Sequence, residues 1–299
     1  MYPWSSWQTI LPLLLGAFGM IGFICFENHP AREPLIRFAI FKQRTAMINY
    51  FGTFIHGIVL WCLLYYLPLY YEGVKDYTPT IVGVAVFPET FTVAPASVIV
   101  GIAISITGRF RWALWIGWLL TVLGMGVLCV LSPDTSIPAW IFMNLVPGMG
   151  LGMLYSSLAY ATQASAEQVD VAFAAAMYTF SRSFGQSIGV AVGGVIFQTQ
   201  LKAKLTAYSD LAGNATELAQ NASSLVQIIK AMPKDLPERK MIVSAYADSL
   251  KVVWAVMAGL AFVALVLSCG TEALNLNEQH VTEQGLKEEK QRPTEENAR

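Results

Sequence analysis

Few side chains in this sequence can do more than pack, and those few lie where charge is costly. Arg182 sits near the middle of the apolar run Val171–Gln200, and Glu89 is the acid well inside the run Ile81–Ile106. His56 lies ten residues into the run Ala46–Tyr71, and Asn144, Gln163 and Gln186 stand in or at the ends of later runs. A charge at bilayer mid-depth costs about 2.5–3.5 kcal/mol on insertion scales, so such a residue faces protein, water or a ligand. The chemistry on offer is ion pairing or proton carriage at Glu89 and Arg182 and proton relay at His56. Asn144, Gln163 and Gln186 can bond a neighbouring helix or a substrate. The inert alternatives are a buried structural pair, a Glu89 that snorkels outward, and polar groups satisfied by helix neighbours.

At 100° per residue, Tyr178, Arg182, Gly185, Gln186, Gly189 and Gly193 share one side of their helix, and Phe173, Met177, Phe180, Phe184, Ile188 and Val195 the other. The small, polar side is expected to meet another backbone closely and to border a polar path. Gly148 and Gly152 read as a second small-xxx-small contact, with a bend at Pro147. Glu89 follows Pro88, with Pro95 further on, and such prolines free carbonyls that line cavities. Counting 1.5 Å per residue puts Glu89 about 12 Å and Arg182 about 13 Å from the same face of a ~30 Å core. An ion pair between them, or one shared aqueous cavity, is therefore expected.

Those residues need a membrane bundle to hold them. The chain has 299 residues, 55% hydrophobic and only 13% charged. Soluble domains carry about 25% charged residues. Seven runs are long enough, or nearly so, to span: Ile10–Phe26, Ala46–Tyr71, Ile81–Ile106, Trp112–Leu131, Ile137–Tyr160, Val171–Gln200 and Val252–Thr271. They are continuous rather than alternating, which favours an all-α integral membrane protein of seven transmembrane helices over a barrel. A net charge of −1 offers no field for nucleic acid. The four cysteines have no metal-ligand spacing, and no nucleophile–base arrangement stands out, so neither an enzyme nor a cofactor is expected. No signal peptide is read at the amino terminus.

Short connectors put Arg32, Arg37, Lys42, Arg44, Arg109 and Arg111 on one side and Lys75 on the other. The positive-inside rule then places the amino terminus outside and the carboxy terminus in the cytoplasm. Asn214 and Asn221 open N-glycosylation sequons in the loop 201–251, which this topology places outside. A short amphipathic helix is expected over 215–231, and a disordered cytoplasmic tail over 272–299. Seven spans with an outside start is an odd parity for a carrier, and suggests a missing part.

Several segments resemble a known pattern: PLIRFAIFKQRT (34–45), ITGRFRWALWIGWLLTVLGMGVL (106–128), residues 144–201 and VVWAVMAGLAFVALVLS (252–268). The stretch Phe180-x-Arg182-Ser183-x-Gly185, followed by Gly189 and Gly193-Gly194, is the most specific part. The sequence is similar to the carboxy-terminal half of fungal major facilitator superfamily transporters, the fourteen-span drug:proton antiporter type, over residues 8–270. The resemblance implies that 1–45 is a linker transmembrane helix with a cytoplasmic connector. Residues 46–271 would then be a six-helix half built of two inverted three-helix repeats. It also implies that spans two, three, five and six of this chain face a substrate cavity between halves. Arg109 and Arg111 match the basic remnant of a cytoplasmic gating motif whose usual acid is absent here. Family members often have Leu-Pro where Phe87-Pro88-Glu89 stand.

The expected function is efflux of small amphipathic organic molecules or drugs by alternating access, coupled to protons, as a truncated or half transporter. The expected partners are the lipid bilayer, a small-molecule substrate, protons and a missing amino-terminal half or second chain. The expected site is the plasma or vacuolar membrane. A seven-span receptor and a non-transporting fragment that modulates a full-length carrier are the alternatives.

Overall fold

The computed structural model describes residues 6–28, 37–208, 211–220 and 222–274. Helices cover all seven apolar runs: α1 Trp7–Asn28, α2 Arg44–Gly73, α3 Pro79–Thr107, α4 Arg111–Leu128, α5 Ile137–Ala164, α6 Val171–Thr206 and, after two short helices, α9 Pro237–Ser268. The short pair is α7 Ala215–Ala219 and α8 Ala222–Ala231. No strand occurs among the described residues. Helices α2, α3, α4, α5 and α9 are long and apolar enough to cross a membrane. Proline opens α3 and α9 and stands second in α5, where its missing N–H is no loss. Helix α3 ends on Gly108 in the left-handed region, a position that suits a residue without a side chain.

Helix α6 is not among those five, because its exposed face carries Thr179, Ser183 and Ser187 beside Phe180 and Phe184. Helix α1 stands apart. Its large side chains are exposed from Trp7 to Phe26, and its glycines have open space around them. Packing energy therefore resides in the other six long helices. Helix α2 packs on α6, α3 and α4 both pack on α5, and α9 closes the bundle against α4, α2 and α6.

Backbone contact rather than side-chain bulk sets these pairs. A Cβ at Gly57 of α2 would strike the Arg182 carbonyl, and one at Gly185 or Gly189 of α6 would strike the carbonyl of Phe54 or Ile58. One at Gly193 would stand 2.9 Å from Cys62 Sγ. The α3–α5 pair repeats the device, with Gly148 2.6 Å from the Glu89 carbonyl by the same measure and Gly152 against the Val93 carbonyl. Helix α4 reaches the bend of α5, where a Cβ at Gly124 would lie 2.5 Å from Pro147 N. In a membrane this closeness replaces the hydrophobic drive that water would supply.

Alternate connectors lie at opposite ends. At one end Arg37 pairs with Asp170 at 2.7 Å, Trp115 Nε1 donates to Ser268 O at 3.1 Å and the Glu272 N–H donates to Thr45 Oγ1 at 3.2 Å. At the other end Lys75 Nζ donates to Pro133 O and Thr135 O, while Asp76 pairs with Lys234 at 2.9 Å and Arg239 at 3.3 Å.

Two expectations need correction. The loop read as 201–251 is only 207–236, because α6 runs on to Thr206 and α9 begins at Pro237. Those polar extensions stay helical by burying Leu201, Leu205, Ile242, Val243 and Tyr246. The single amphipathic helix expected over 215–231 is split into α7 and α8, with Asn221 between them outside the described residues. Most of the expected tail, residues 275–299, is also outside them.

The glycine seam makes a direct prediction. Gly185→Ala is expected to cost about 1–3 kcal/mol by overpacking against α2. Gly259→Ala, with nothing within 4 Å, is expected to gain about 0.5–1 kcal/mol from helix propensity. Thermal unfolding in detergent reads both, and a matched gain in the two variants would contradict the backbone contact.

Candidate functional site

Buried polar side chains from α2, α3 and α6 meet one face of α5. Asn144, Gly148, Leu151, Gly152 and Tyr155 follow the i, i+4, i+7, i+8, i+11 pattern of a helix stripe. Asn144 Nδ2 donates to Tyr71 Oη of α2 at 2.5 Å. One turn on, Gly148 meets the main chain of Glu89 from α3. Leu151 O lies 3.0 Å from His56 Nε2 of α2. One more turn brings Tyr155, whose ring lies 3.6 Å under the Arg182 guanidinium of α6. Helix α5 thus acts as a ruler against which three other helices place their polar groups.

The sequence places these helices together for identifiable reasons. Glu89 continues the buried face Val82, Ala85, Val86 of α3, so it turns toward α5 rather than outward. His56 continues Asn49 and Thr53 on α2 in the same way. Arg182 lies one turn from Tyr178 on α6, and both are buried by the glycine contact with α2.

Glu89 and Arg182 do not form the expected ion pair. Among the described residues the ion pairs involve Arg37, Lys204, Lys234, Arg239 and Lys251. Measured on α5, the Glu89 main chain is level with Gly148 and the guanidinium with Tyr155, about 10 Å apart at 1.5 Å per residue. The count from span ends misses this because it bounds both spans by one ~30 Å core, whereas α3 is 29 residues long and α6 is 36. Arg182 Nη2 instead donates to Tyr178 Oη and, at 3.4 Å, to Tyr155 O, and a second ring, Tyr178, lies 4.5 Å from the guanidinium carbon. Tyr178 Oη in turn donates to Tyr155 O at 2.7 Å. Both carboxylate oxygens of Glu89, His56 Nδ1, Asn144 Oδ1 and Arg182 Nε and Nη1 are buried with no hydrogen-bond partner among the described residues.

Other candidates fall elsewhere. Gln186 is half-buried, its main chain against Gly57. Gln163 is half-buried at the last turn of α5, away from the polar stripe. Arg109 is exposed on the α3–α4 turn, and Arg111 lies over the Trp115 ring at 4.6 Å. Asn214 is exposed on the α6–α7 connection. Three contributors stand outside the residues singled out from sequence. Tyr155 and Tyr71 meet their partners only through tertiary packing, and Gly57 is the residue beside His56 that lets α6 approach. The Gly57 signal was legible, since a glycine inside an aromatic, β-branched helix has no local purpose.

No family model matches the chain. It is 49% identical over 287 residues to "MFS transporter L2" of Phoma sp., a match covering 96% of this chain and 48% of that protein. It is 32% identical over 297 residues to "Efflux pump FUS6" of Gibberella moniliformis, covering 97% of this chain and 52% of that one. It is 29% identical over 278 residues to "MFS-type efflux pump MMF1" of Mycosarcoma maydis, covering 92% and 45%. The chain spans about half the length of the curated relatives it matches, consistent with their carboxy-terminal half.

The polar stripe predicts opposite signs for two substitutions. Tyr178→Phe strips a partner from the guanidinium and from the Tyr155 carbonyl, and is expected to cost about 1–3 kcal/mol. Glu89→Leu removes an unpartnered buried carboxyl, and is expected to be neutral or to stabilise by about 1–3 kcal/mol, the penalty of one unsatisfied buried polar group. Thermal unfolding of the purified chain checks both, and a large loss in Glu89→Leu would mean the carboxyl has a partner.

Proposed function

The chain belongs to the fungal transporters of the major facilitator superfamily, and from that premise we propose that it forms one half of an alternating-access efflux carrier for small amphipathic organic molecules, coupled to proton movement. The observation that carries the reading is the set of buried, unpartnered polar atoms on Glu89, His56, Arg182 and Asn144, which α2, α3 and α6 bring against α5 inside an apolar bundle. Such groups are costly in a membrane and are retained where they serve a path. The relatives' names, "Efflux pump FUS6" and "MFS-type efflux pump MMF1", support the direction of transport.

The packing pairs support a half made of two inverted repeats. Exchanging α2, α3, α4 with α5, α6, α9 turns the α2–α6 pair into α5–α3 and the α4–α5 pair into α9–α2, and all four are packed pairs. Helix α1 would be the seventh span, a linker outside the half, consistent with its exposed surface. The hydroxyls on the exposed face of α6 suit an aqueous cavity shared with a second half better than lipid. In this reading Glu89 and His56 carry protons, Arg182, Asn144, Gln163 and Gln186 border the substrate path, and Arg109 and Arg111 act at the cytoplasmic gate. The end bearing Arg37, Arg109 and Arg111 faces the cytoplasm, Asn214 and Asn221 lie outside for glycosylation, and the membrane is the plasma or vacuolar one.

The test is efflux of a fluorescent amphipathic dye from yeast lacking its own pumps. The chain is expressed alone and with the amino-terminal half of the Phoma relative. Efflux faster than vector, abolished by a protonophore, is expected in at least the paired cells. Glu89→Gln at equal surface expression is expected to slow it at least about 100-fold, the lower end of a general acid–base contribution. Vector-level rates in both arrangements would overturn the reading.

A further inference from the structure

We propose that Arg182 is the recognition point for an organic acid, so that the amphipathic molecules this site takes carry a carboxylate. The proposal rests on the placement of Arg182 beside the substrate path. Arg182 is 5% exposed, yet none of the ion pairs among the described residues includes it. Its charge is met by two ring faces and two oxygens that are neutral, Tyr178 Oη and Tyr155 O. Rings and neutral oxygens hold a guanidinium in a fixed plane without cancelling its charge. They also occupy only Nη2. The Nε and Nη1 donors stay buried and unpartnered.

A planar cation held by its faces, with free N–H groups at its edge, matches a carboxylate, whose two oxygens accept such donors. An ammonium would leave the same donors unmet, and a neutral oxygen would accept from them without balancing the charge. The acid within the spans, Glu89, does not serve, since it is packed at the level of Gly148 on the other side of the His56 contact. His56 adds a second feature. Its Nε2 lies against the Leu151 carbonyl, which can only accept, so the proton sits there and Nδ1 is a bare acceptor, buried and unpartnered. A hydroxyl near the acid group of the ligand would satisfy it. Tyr155, 44% exposed, covers the guanidinium from the outside and is the side chain an entering acid must pass. The rings of Tyr155 and Tyr178 flank the guanidinium with apolar surface, which favours an organic acid over a hydrated inorganic anion.

The test uses the purified chain in phosphatidylcholine nanodiscs, titrated calorimetrically with naphthaleneacetate and with the neutral naphthaleneacetamide. The wild-type chain is expected to prefer the acid by about 10- to 100-fold, the range of a charge-assisted hydrogen bond. Arg182→Met and Arg182→Gln are expected to erase that preference through loss of naphthaleneacetate affinity, the glutamine variant serving if the methionine variant does not fold. Equal binding of acid and amide by the wild type would overturn the proposal. Displacement of naphthaleneacetate by millimolar chloride would overturn it too, in favour of an inorganic anion site. Acid preference without dye efflux would fell the transport reading and leave this one standing; efflux of a neutral dye without acid preference would do the reverse.

Discussion

The backbones of α2 and α6 touch, and most of what is unusual in this bundle follows from that contact. Gly57, Gly185 and Gly189 each sit where a methyl group would strike a carbonyl of the facing helix. Because the helices approach so closely, the side chains beside the seam have nowhere to go but sideways, toward α5. His56 and Arg182 flank the seam from α2 and α6, and both end on α5, at Leu151 and Tyr155. Widen the seam by one methyl group and both polar groups lose their register on the ruler helix. The α3–α5 contact, built from Gly148 and Gly152, sets Glu89 by the same principle.

Glu89 and Arg182 are opposite charges in one bundle that are kept apart. A buried pair would have been the stable arrangement for two such groups, since removing one partner of a buried pair is strongly destabilising. Here Arg182 is flanked by aromatic rings and neutral oxygens, Glu89 has no hydrogen-bond partner among the described residues, and each keeps donors or acceptors unmet. Native proteins leave few buried polar atoms unsatisfied. Several gathered against one face of α5 mark a place where stability has been given up, which is the pattern of functional sites.

The bundle itself was legible in the sequence, because a bilayer demands long uncharged runs and the chain has them in plain view. So were the glycines of α6 and α5, since small residues at four-residue spacing have a mechanical meaning in a membrane. What was not legible was relative height. Counting residues from the ends of two runs placed Glu89 and Arg182 side by side, but helices of different length and tilt do not share a zero. Only a third helix that touches both, α5, supplies a common scale. The split between α7 and α8 and the helical extensions of α6 and α9 beyond the apolar runs were hidden for another reason. They are held by burial of Leu201, Leu205, Leu225, Val226, Ile229 and Tyr246 at the bundle's end, a tertiary effect without a local signature.

The contact of α2 with α6 is open to a direct chemical measurement. Cys62 is a buried free thiol on α2, and a Cβ at Gly193 of α6 would stand 2.9 Å from its sulfur. Oxidising the Gly193→Cys chain in the membrane, then mapping peptides by mass spectrometry, asks whether the two helices touch there. The structure predicts a near-quantitative disulfide between Cys62 and the introduced thiol, lost when Cys62→Ala is added. Two unlinked thiols in a chain that still folds, or linkage of the new thiol to Cys129 or Cys269 instead, would contradict it, and with it the arrangement that holds His56 and Arg182 against α5.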